Sequence, residues 1–251
     1  MGLPRIAVPE YSLTLPSSGK ELKYRPFLVK EEKILLLAME SEDSKEIITA
    51  TKNVIKNCVF GEIDVDTLPT FDIEYIFLWL RGRAKGEKVE LNYKCPKCEG
   101  QIPLSFNIED VKVVIADGHD KKIELTDDLG VVMKYPTMTL QAEIEKMADL
   151  SQVEQMFKTI RLCMDYIYDA EKMYASKDHT EQEMVDFLES LTDDQFQMIS
   201  KFFETAPKLK HEVKLDCKNP SKESKGTKGK KKTVCGYTED LTLEGLQSFF
   251  E

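Results

Sequence analysis

The stretch Cys95-Pro96-Lys97-Cys98 lies near the middle of the 251-residue chain, between two segments of alternating polarity, Val89–Tyr93 and Ile102–Ile108. Two cysteines at this spacing on a tight turn can direct both thiolates at one tetrahedral zinc ion. A thioredoxin-type redox pair would instead have its first cysteine at a helix N-terminus, which lowers that thiol's pKa. Because strands are predicted on both sides, the pattern favours a zinc knuckle over a redox pair or a pair without metal.

A tetrahedral site needs a second pair of ligands, and Cys217 and Cys235 are the best candidates. Both border strand-like segments, and Gly236 suits a knuckle turn; His211 is the nearest spare ligand if they do not take part. Four protein ligands would leave no open position, which is typical of structural zinc. Such a site would join residues 95–98 to residues 217–235 across 118 intervening residues, so the chain would form one closed unit.

The other two cysteines, Cys58 and Cys163, lie on apolar helical faces and are predicted to pack in the core as small hydrophobic residues. We expect the protein to work in a reducing compartment, where thiols remain free or bind metal.

Composition excludes several classes. Hydrophobic residues make up 41% of the chain and charged residues 32%, a balance typical of soluble globular proteins. The longest apolar runs, Ile34–Met39 and Tyr75–Leu80, are far shorter than the ~20 residues that span a bilayer, and no signal-peptide core follows Met1. The net charge of −10 argues against a dedicated nucleic-acid coat. Seven lysines and one acid between Lys218 and Lys232 give that loop +6, which leaves −16 elsewhere.

The pattern along the chain predicts an α+β fold with an N-terminal β-hairpin and helical block, a central β-rich zinc ribbon and C-terminal helices. The hairpin is predicted at residues 11–27 because two alternating segments flank a Pro-Ser-Ser-Gly turn. Four regions follow from this reading: 1–86 with an N-terminal arm at 1–10, 87–138 with the first knuckle, 139–208 as a helical region, and 209–251 with the return strands, the lysine-rich loop 218–232 and an apolar tail.

Helical spacing predicts three helices in the first region. In Lys30–Glu40 the expected core face is Ile34, Leu35, Leu37 and Ala38; Lys45–Phe60 follows, and Phe71–Arg81 is apolar on most sides and is predicted as the central helix. Capping-box patterns begin helices at Ser151, Thr180 and Thr192. Behind the first of these, helical spacing extends to Ile167.

The sequence contains no catalytic constellation above background. Asp117-Gly-His119-Asp120 is best explained as a turn, and His179 as a solvated residue before a helix cap. No phosphate-binding loop, zinc-protease motif or nucleophile elbow occurs. The lysine-rich loop has three explanations, a solvated loop, a contact with an acidic protein or a contact with nucleic acid, although it lacks aromatic residues for base stacking. The apolar tail Leu243, Leu246, Phe249 and Phe250 could dock onto its own chain or onto a partner.

Three segments besides the cysteine motif carry a family resemblance: Pro4-Arg-Ile6 through Leu15-Pro16, Tyr24–Lys33 with Leu37–Glu40, and Leu68–Tyr75 leading into Phe77–Arg81. Together with Cys95–Cys98 they resemble the T4-type bacteriophage baseplate hub proteins of contractile tails. The match is most specific over residues 4–100. The long insert at 218–232 departs from a plain zinc ribbon.

The resemblance implies a structural or assembly role at the baseplate hub, with no transferable catalytic residues. We therefore expect a non-enzymatic virion protein, assembled in the host cytoplasm, that holds structural Zn²⁺ at Cys95, Cys98, Cys217 and Cys235. Its expected partners are other baseplate and hub proteins within an oligomeric tail, with neither membrane nor nucleic acid. The alternative is a nucleic-acid-binding zinc-ribbon module. A metal-dependent hydrolase would require an open zinc position.

Overall fold

A computed structural model of the chain describes residues 7–145, 149–220 and 234–245. Within these ranges it contains helices and strands in an α+β arrangement, as the sequence predicts. The helices are α1 Val29–Glu40, α2 Ser44–Cys58, α3 Thr70–Lys85, α4 Met138–Glu145, α5 Gln152–Cys163, α6 Glu181–Glu189 and α7 Asp193–Thr205. The strands are β1 Tyr11–Thr14, β2 Glu21–Tyr24, β3 Val59–Phe60, β4 Lys88–Lys94, β5 Gln101–Asn107, β6 Lys112–Val114, β7 Lys122–Glu124, β8 Gly130–Met133, β9 Met164–Tyr168, β10 Met173–Ala175, β11 Lys208–Asp216 and β12 Thr238–Glu244.

The N-terminal part consists of the predicted β1–β2 hairpin, extended by β3, packed with α2 and α3. Its apolar cluster is centred on α3, whose residues Ile73, Ile76 and Leu80 have no exposed surface. The opposite side of α3 buries Leu78 in a second cluster with β5, β11 and β12, so α3 connects the N-terminal part to the ribbon strands. A helix that is apolar on most sides is stable only when neighbours cover it all round, which explains its central position.

A buried ion pair fixes the start of α1 against the hairpin. Glu31 has no exposed side-chain surface, and its carboxylate accepts hydrogen bonds from the Arg25 guanidinium (2.9 Å) and the Leu28 backbone N–H (2.9 Å). Burial raises the pKa of Glu31, but these hydrogen bonds outweigh it and hold the pKa below its usual value. The carboxylate therefore stays ionised although it lies inside the protein.

The ribbon strands form two antiparallel units. In one, β4 pairs with β5 along seven residues; in the other, β11 pairs with β12 and, at its other edge, with β6. Side chains alternate along β5, where Ile102, Leu104 and Phe106 are buried. Apolar and polar residues alternate in the same way in the sequence, and this alternation is the basis on which the strands were predicted. The two units bring residues more than 100 positions apart into one β-rich region.

A fourth sheet has the order β10-β9-β8-β7 and packs against α5, α6 and α7. All three predicted capping boxes are present, with Ser151, Thr180 and Thr192 each accepting from the backbone N–H three residues later. Because each cap satisfies a helix N–H that has no partner within the helix, the starts of these helices are determined locally.

The prediction of continuous helix through Ile167 is wrong, because α5 ends at Cys163 and Met164–Tyr168 forms β9. Strand β9 lies between β8 and β10, and its residues Tyr166 and Ile167 pair with Val132 and Val131. Aromatic and β-branched side chains fit a half-buried strand, and pairing on both edges outweighs the local helical spacing. As a result, this sheet crosses the predicted boundary at residue 138, and region 139–208 contains two strands besides its helices.

A second correction concerns α1. Leu35 is partly buried and Ala38 is buried, as predicted, but Ile34 and Leu37 are exposed. The helix packs mainly against α2 through one narrow side, so four of the six residues in its apolar run Ile34–Met39 are exposed.

Several predictions lie wholly or partly outside the described residues: the first part of the N-terminal arm, most of the lysine-rich loop, and the tail positions Leu246, Phe249 and Phe250. Of the tail, Leu243 is described; it belongs to β12 and packs in the cluster with Leu78 and Leu209. Among the helices of the described ranges, none combines the length and the apolar character that crossing a membrane requires.

We expect Ile76→Ala to lower the free energy of unfolding by about 2–5 kcal/mol, because it leaves a cavity beside α3 where the surroundings can relax only in part. The control is Ile115→Ala, since Ile115 is 52% exposed; its expected effect is within about 0.5 kcal/mol. Urea unfolding followed by circular dichroism measures both. Equal effects of the two substitutions would contradict the central position of α3.

Candidate metal centre

Four cysteines meet where the two ribbon units approach each other. Cys95 and Cys98 lie in the turn between β4 and β5, Cys217 directly follows β11, and Cys235 precedes β12. All four are buried, and their sulfur atoms lie within 4.8 Å of one another. The structure therefore brings together the four residues that the sequence analysis singled out, from two distant parts of the chain.

Backbone hydrogen bonds shape both turns. In the first, the Cys95 N–H donates to the Gly100 carbonyl (2.9 Å) and the Glu99 N–H donates to the Cys95 carbonyl (2.8 Å). In the second, the Cys217 N–H donates to the Tyr237 carbonyl (2.8 Å), and Gly236 has a φ of 63°, a left-handed conformation that glycine adopts without strain. Each turn thus holds its two sulfur atoms on the same side.

The distances between sulfur atoms suit a tetrahedral ion. Sγ of Cys95 lies 3.8 Å from Sγ of Cys235, and Sγ of Cys98 lies 3.5 Å from Sγ of Cys217. A disulfide would need about 2.05 Å, and all of these cysteines are free. With a metal–sulfur bond of about 2.3 Å, the edges of a tetrahedron of thiolates are about 3.8 Å long. The four residues could therefore hold one metal ion between them.

The pKa values of the cluster's thiols also favour a bound cation. Burial raises the pKa of Cys95, but hydrogen bonds from the backbone N–H groups of Cys98 and Lys97 outweigh it and lower this pKa to about 7. The Gly100 N–H lowers the pKa of Cys98, whereas burial and the neighbouring thiols raise it to about 12. One sulfur thus ionises readily and suppresses ionisation of its neighbour. Since four adjacent thiolates repel each other, their joint ionisation requires a cation between them.

Two polar residues that the sequence analysis did not single out connect the turns. The side-chain amide of Asn219 donates to the Gln101 carbonyl (2.8 Å) and contacts Sγ of Cys217 (3.4 Å). The ammonium group of Lys97 donates to the Cys235 carbonyl (3.2 Å). Gly100 leaves the space for Asn219, because a Cβ atom there would lie 2.6 Å from the amide nitrogen. No sequence motif at Cys217-Lys-Asn219 predicts that Asn219 would connect the two turns. Only its hydrogen bonds in the folded chain show this.

An apolar shell encloses the cluster. Ile102, Leu104 and Leu215 are buried against the cysteines, and Tyr93 and Tyr237 pack around them. All four cysteines are buried, so little of the cluster faces solvent. The arrangement is suited to holding an ion and not to presenting it to a substrate.

Comparison with known proteins shows which family the chain belongs to. The sequence matches one family model, described as T4 bacteriophage base plate protein, over residues 8–251. The chain belongs to this base plate family. The match covers both cysteine pairs and extends well beyond the N-terminal part in which the resemblance was most specific. Neither the curated proteins nor the solved structures include one that matches significantly.

Membership in the base plate family makes the chain a component of the virion tail. The family description is structural, and it indicates a role in building the base plate through contacts with other tail proteins. It names no reaction. The cysteine cluster therefore lies in a protein of the tail base plate.

The remaining cysteines are core residues, as predicted. Cys58 and Cys163 have no exposed surface, and burial raises the pKa of Cys58 to about 11 and that of Cys163 to about 12. Both thiols therefore stay protonated at neutral pH. Each lies in an apolar cluster away from the other four cysteines.

The three histidines are separate from the cysteine cluster and from one another. His119 belongs to the predicted turn at Asp117–Asp120. Its two ring nitrogens lie 2.9 Å from Thr205 Oγ1 and from Tyr135 Oη. His211, the spare ligand, packs on the Phe106 ring with 4.6 Å between ring centroids. His179 lies 3.8 Å from the Glu183 carboxylate beside the helix cap.

Burial lowers the pKa of His119 below its ordinary value, although Asp120 partly opposes this effect. The unfolded chain then binds a proton at a higher pH than the folded protein does, so His119 contributes a loss of stability as the pH falls below about 6.5. We expect His119→Gln to remove this contribution, so that the free-energy difference between wild type and variant shrinks from pH 8 to pH 5.5. Urea unfolding at both pH values measures it. A free-energy difference between wild type and His119→Gln that is the same at both pH values would refute the prediction.

Proposed function

We propose that this protein is a structural or assembly component of the hub region of a contractile tail baseplate, stabilised by one zinc ion bound to Cys95, Cys98, Cys217 and Cys235. The observation that carries the proposal is the closed cluster of four buried thiols in a chain of the base plate family. The protein acts by binding other tail proteins.

Zinc is the ion that these donors favour. Four thiolates are soft ligands, which select zinc or iron and disfavour magnesium and calcium. The tetrahedral spacing of the sulfur atoms and the lack of an exposed position correspond to a structural site. The ion would join the β4–β5 turn to the β11–β12 turn, whose cysteines belong to distant parts of the chain.

A structural zinc suits an assembly component. Binding a neighbour costs conformational entropy wherever loops must become ordered, so surfaces that are rigid beforehand bind more tightly. The zinc site would hold both ribbon units rigid with four side chains and little additional sequence. No residue in this proposal has a catalytic role, and we infer that the protein is not an enzyme.

The proposed partners are other baseplate and hub proteins, reached after synthesis in the host cytoplasm. Outside the loop 218–232 the chain carries −16, so its surfaces would favour partners with basic or apolar faces. The lysine-rich loop departs from the second cysteine turn, where Pro220 and Val234 form an isolated bridge.

Cys95→Ser should reduce the zinc content from about one ion per chain to well below half, because zinc binding needs all four thiolates and is coupled to folding. The thermal midpoint should fall as well, and a chelator should lower the wild-type midpoint in the same direction. Elemental analysis and calorimetry provide these values. X-ray absorption on the wild type should show four sulfur ligands.

Cys163→Ser is the matched control, since Cys163 is a buried cysteine outside the cluster. It should destabilise the fold while the zinc content stays at the wild-type value. Full zinc retention in Cys95→Ser, or a ligand set with fewer than four sulfur atoms, would contradict the zinc assignment. Neither result would affect the base plate role.

Affinity capture of the tagged protein from infected cells, followed by mass spectrometry, tests the hub role. We expect other baseplate proteins in stoichiometric amounts. The alternative, a nucleic-acid-binding ribbon, predicts affinity for DNA or RNA that falls steeply with salt and disappears when the seven loop lysines are replaced by glutamine. Such affinity without any captured tail protein would replace our proposal with the alternative.

A further inference from the structure

Helix α1 exposes an apolar surface that nothing in the described part of the chain covers. Four of its large side chains are more than half exposed: Val29 at 80%, Leu36 at 53%, Leu37 at 55% and Met39 at 63%. Single exposed apolar residues are ordinary, but a cluster of this size on one helix marks an interaction site. We call these four residues the α1 patch.

The α1 patch contains two charges of opposite sign. Lys33 and Glu40 are both exposed and are seven residues apart, so they lie on the same side of the helix two turns from each other. Leu36 and Leu37 lie midway between them. Within the described ranges neither Lys33 nor Glu40 forms an ion pair, whereas the neighbouring Glu32 pairs with Lys85.

The order Lys33, Leu36, Leu37, Glu40 along α1 is complementary to the same order read in the opposite direction on a second copy. If a second α1 runs antiparallel with its centre opposite Leu36 and Leu37, Lys33 of each copy faces Glu40 of the other, and the leucines meet in the middle. A two-fold axis makes both ion pairs at once. A parallel arrangement would oppose like charges at both positions.

The helix ends support the same arrangement. The last turn of α1 carries Glu40 and no basic residue. A carboxylate there is unfavourable, because the C-terminal end of a helix is already partly negative. An antiparallel partner helix places the positive side chain of Lys33 next to this carboxylate.

We propose that the α1 patch is a self-association surface, on which two copies of this chain pack their α1 helices antiparallel with Lys33–Glu40 pairs on both sides of a leucine centre. Stable complexes bury about 800 Å² per partner, and the α1 patch is one side of a single helix, so we expect a weak dimer that forms only at micromolar or higher concentrations of the chain. The proposal is independent of the zinc site and of the hub role.

Charge reversal tests it. Lys33→Glu and Glu40→Lys should each abolish dimers, because each single substitution opposes like charges twice. The double variant should restore them, since both pairs form again with exchanged signs. Sedimentation velocity over a concentration series of the full chain gives the oligomeric state. Matched controls are Lys177→Glu and Glu189→Lys, two exposed positions outside α1, which should leave the dimer unchanged.

Circular dichroism is used to check that each variant is folded. We expect all of them to fold, because both substituted side chains are exposed. A wild-type chain that stays monomeric up to about 100 µM would overturn the proposal and assign the α1 patch to a different protein. Dimers that survive the single reversals, or a folded double variant that stays monomeric, would overturn it as well.

Discussion

The convergence of four buried cysteines is the constraint on which the rest of this structure depends. The two turns that carry them are far apart in the sequence, yet Sγ atoms from both lie 3.5 and 3.8 Å apart across the contact. Everything between the turns, including the sheet of β7 to β10 and its three helices, is enclosed in a loop closed at that point. We propose that a metal ion held at this contact would make the chain one unit and not separate domains joined by linkers.

Helix α3 supplies the second connection. It contributes to the N-terminal cluster with Ile73, Ile76 and Leu80 and to the ribbon cluster with Leu78. The cysteine cluster holds the far end of the ribbon, and α3 holds its near end. A component of the base plate must keep its contact surfaces in fixed positions while its neighbours bind, and two connections of this kind restrict the relative movement of the parts.

Much of the fold could be predicted because its signals are local. The hairpin of β1 and β2, the three capping boxes and the Cys95–Cys98 pair each follow from residues within a few positions of one another. The end of α5 could not be predicted in this way. Its helical spacing continues to Ile167, and only the pairing of β9 with β8 and β10 converts Met164–Tyr168 into a strand. Strand pairing depends on partners elsewhere in the chain, which no local pattern contains.

The sequence by itself determined the fold class, the four cysteines of the candidate site and, through its resemblance, the base plate family. Cysteine spacing is informative because thiolates bind metal only in a few geometries. Only the tertiary structure decided that Asn219 and Lys97 connect the two turns, and that Ile34 and Leu37 of α1 lie at the surface. A side chain's burial is set by what packs against it. The apolar pattern of α1 predicts which residues avoid water, but most of them stay exposed within the part of the chain that the structure describes.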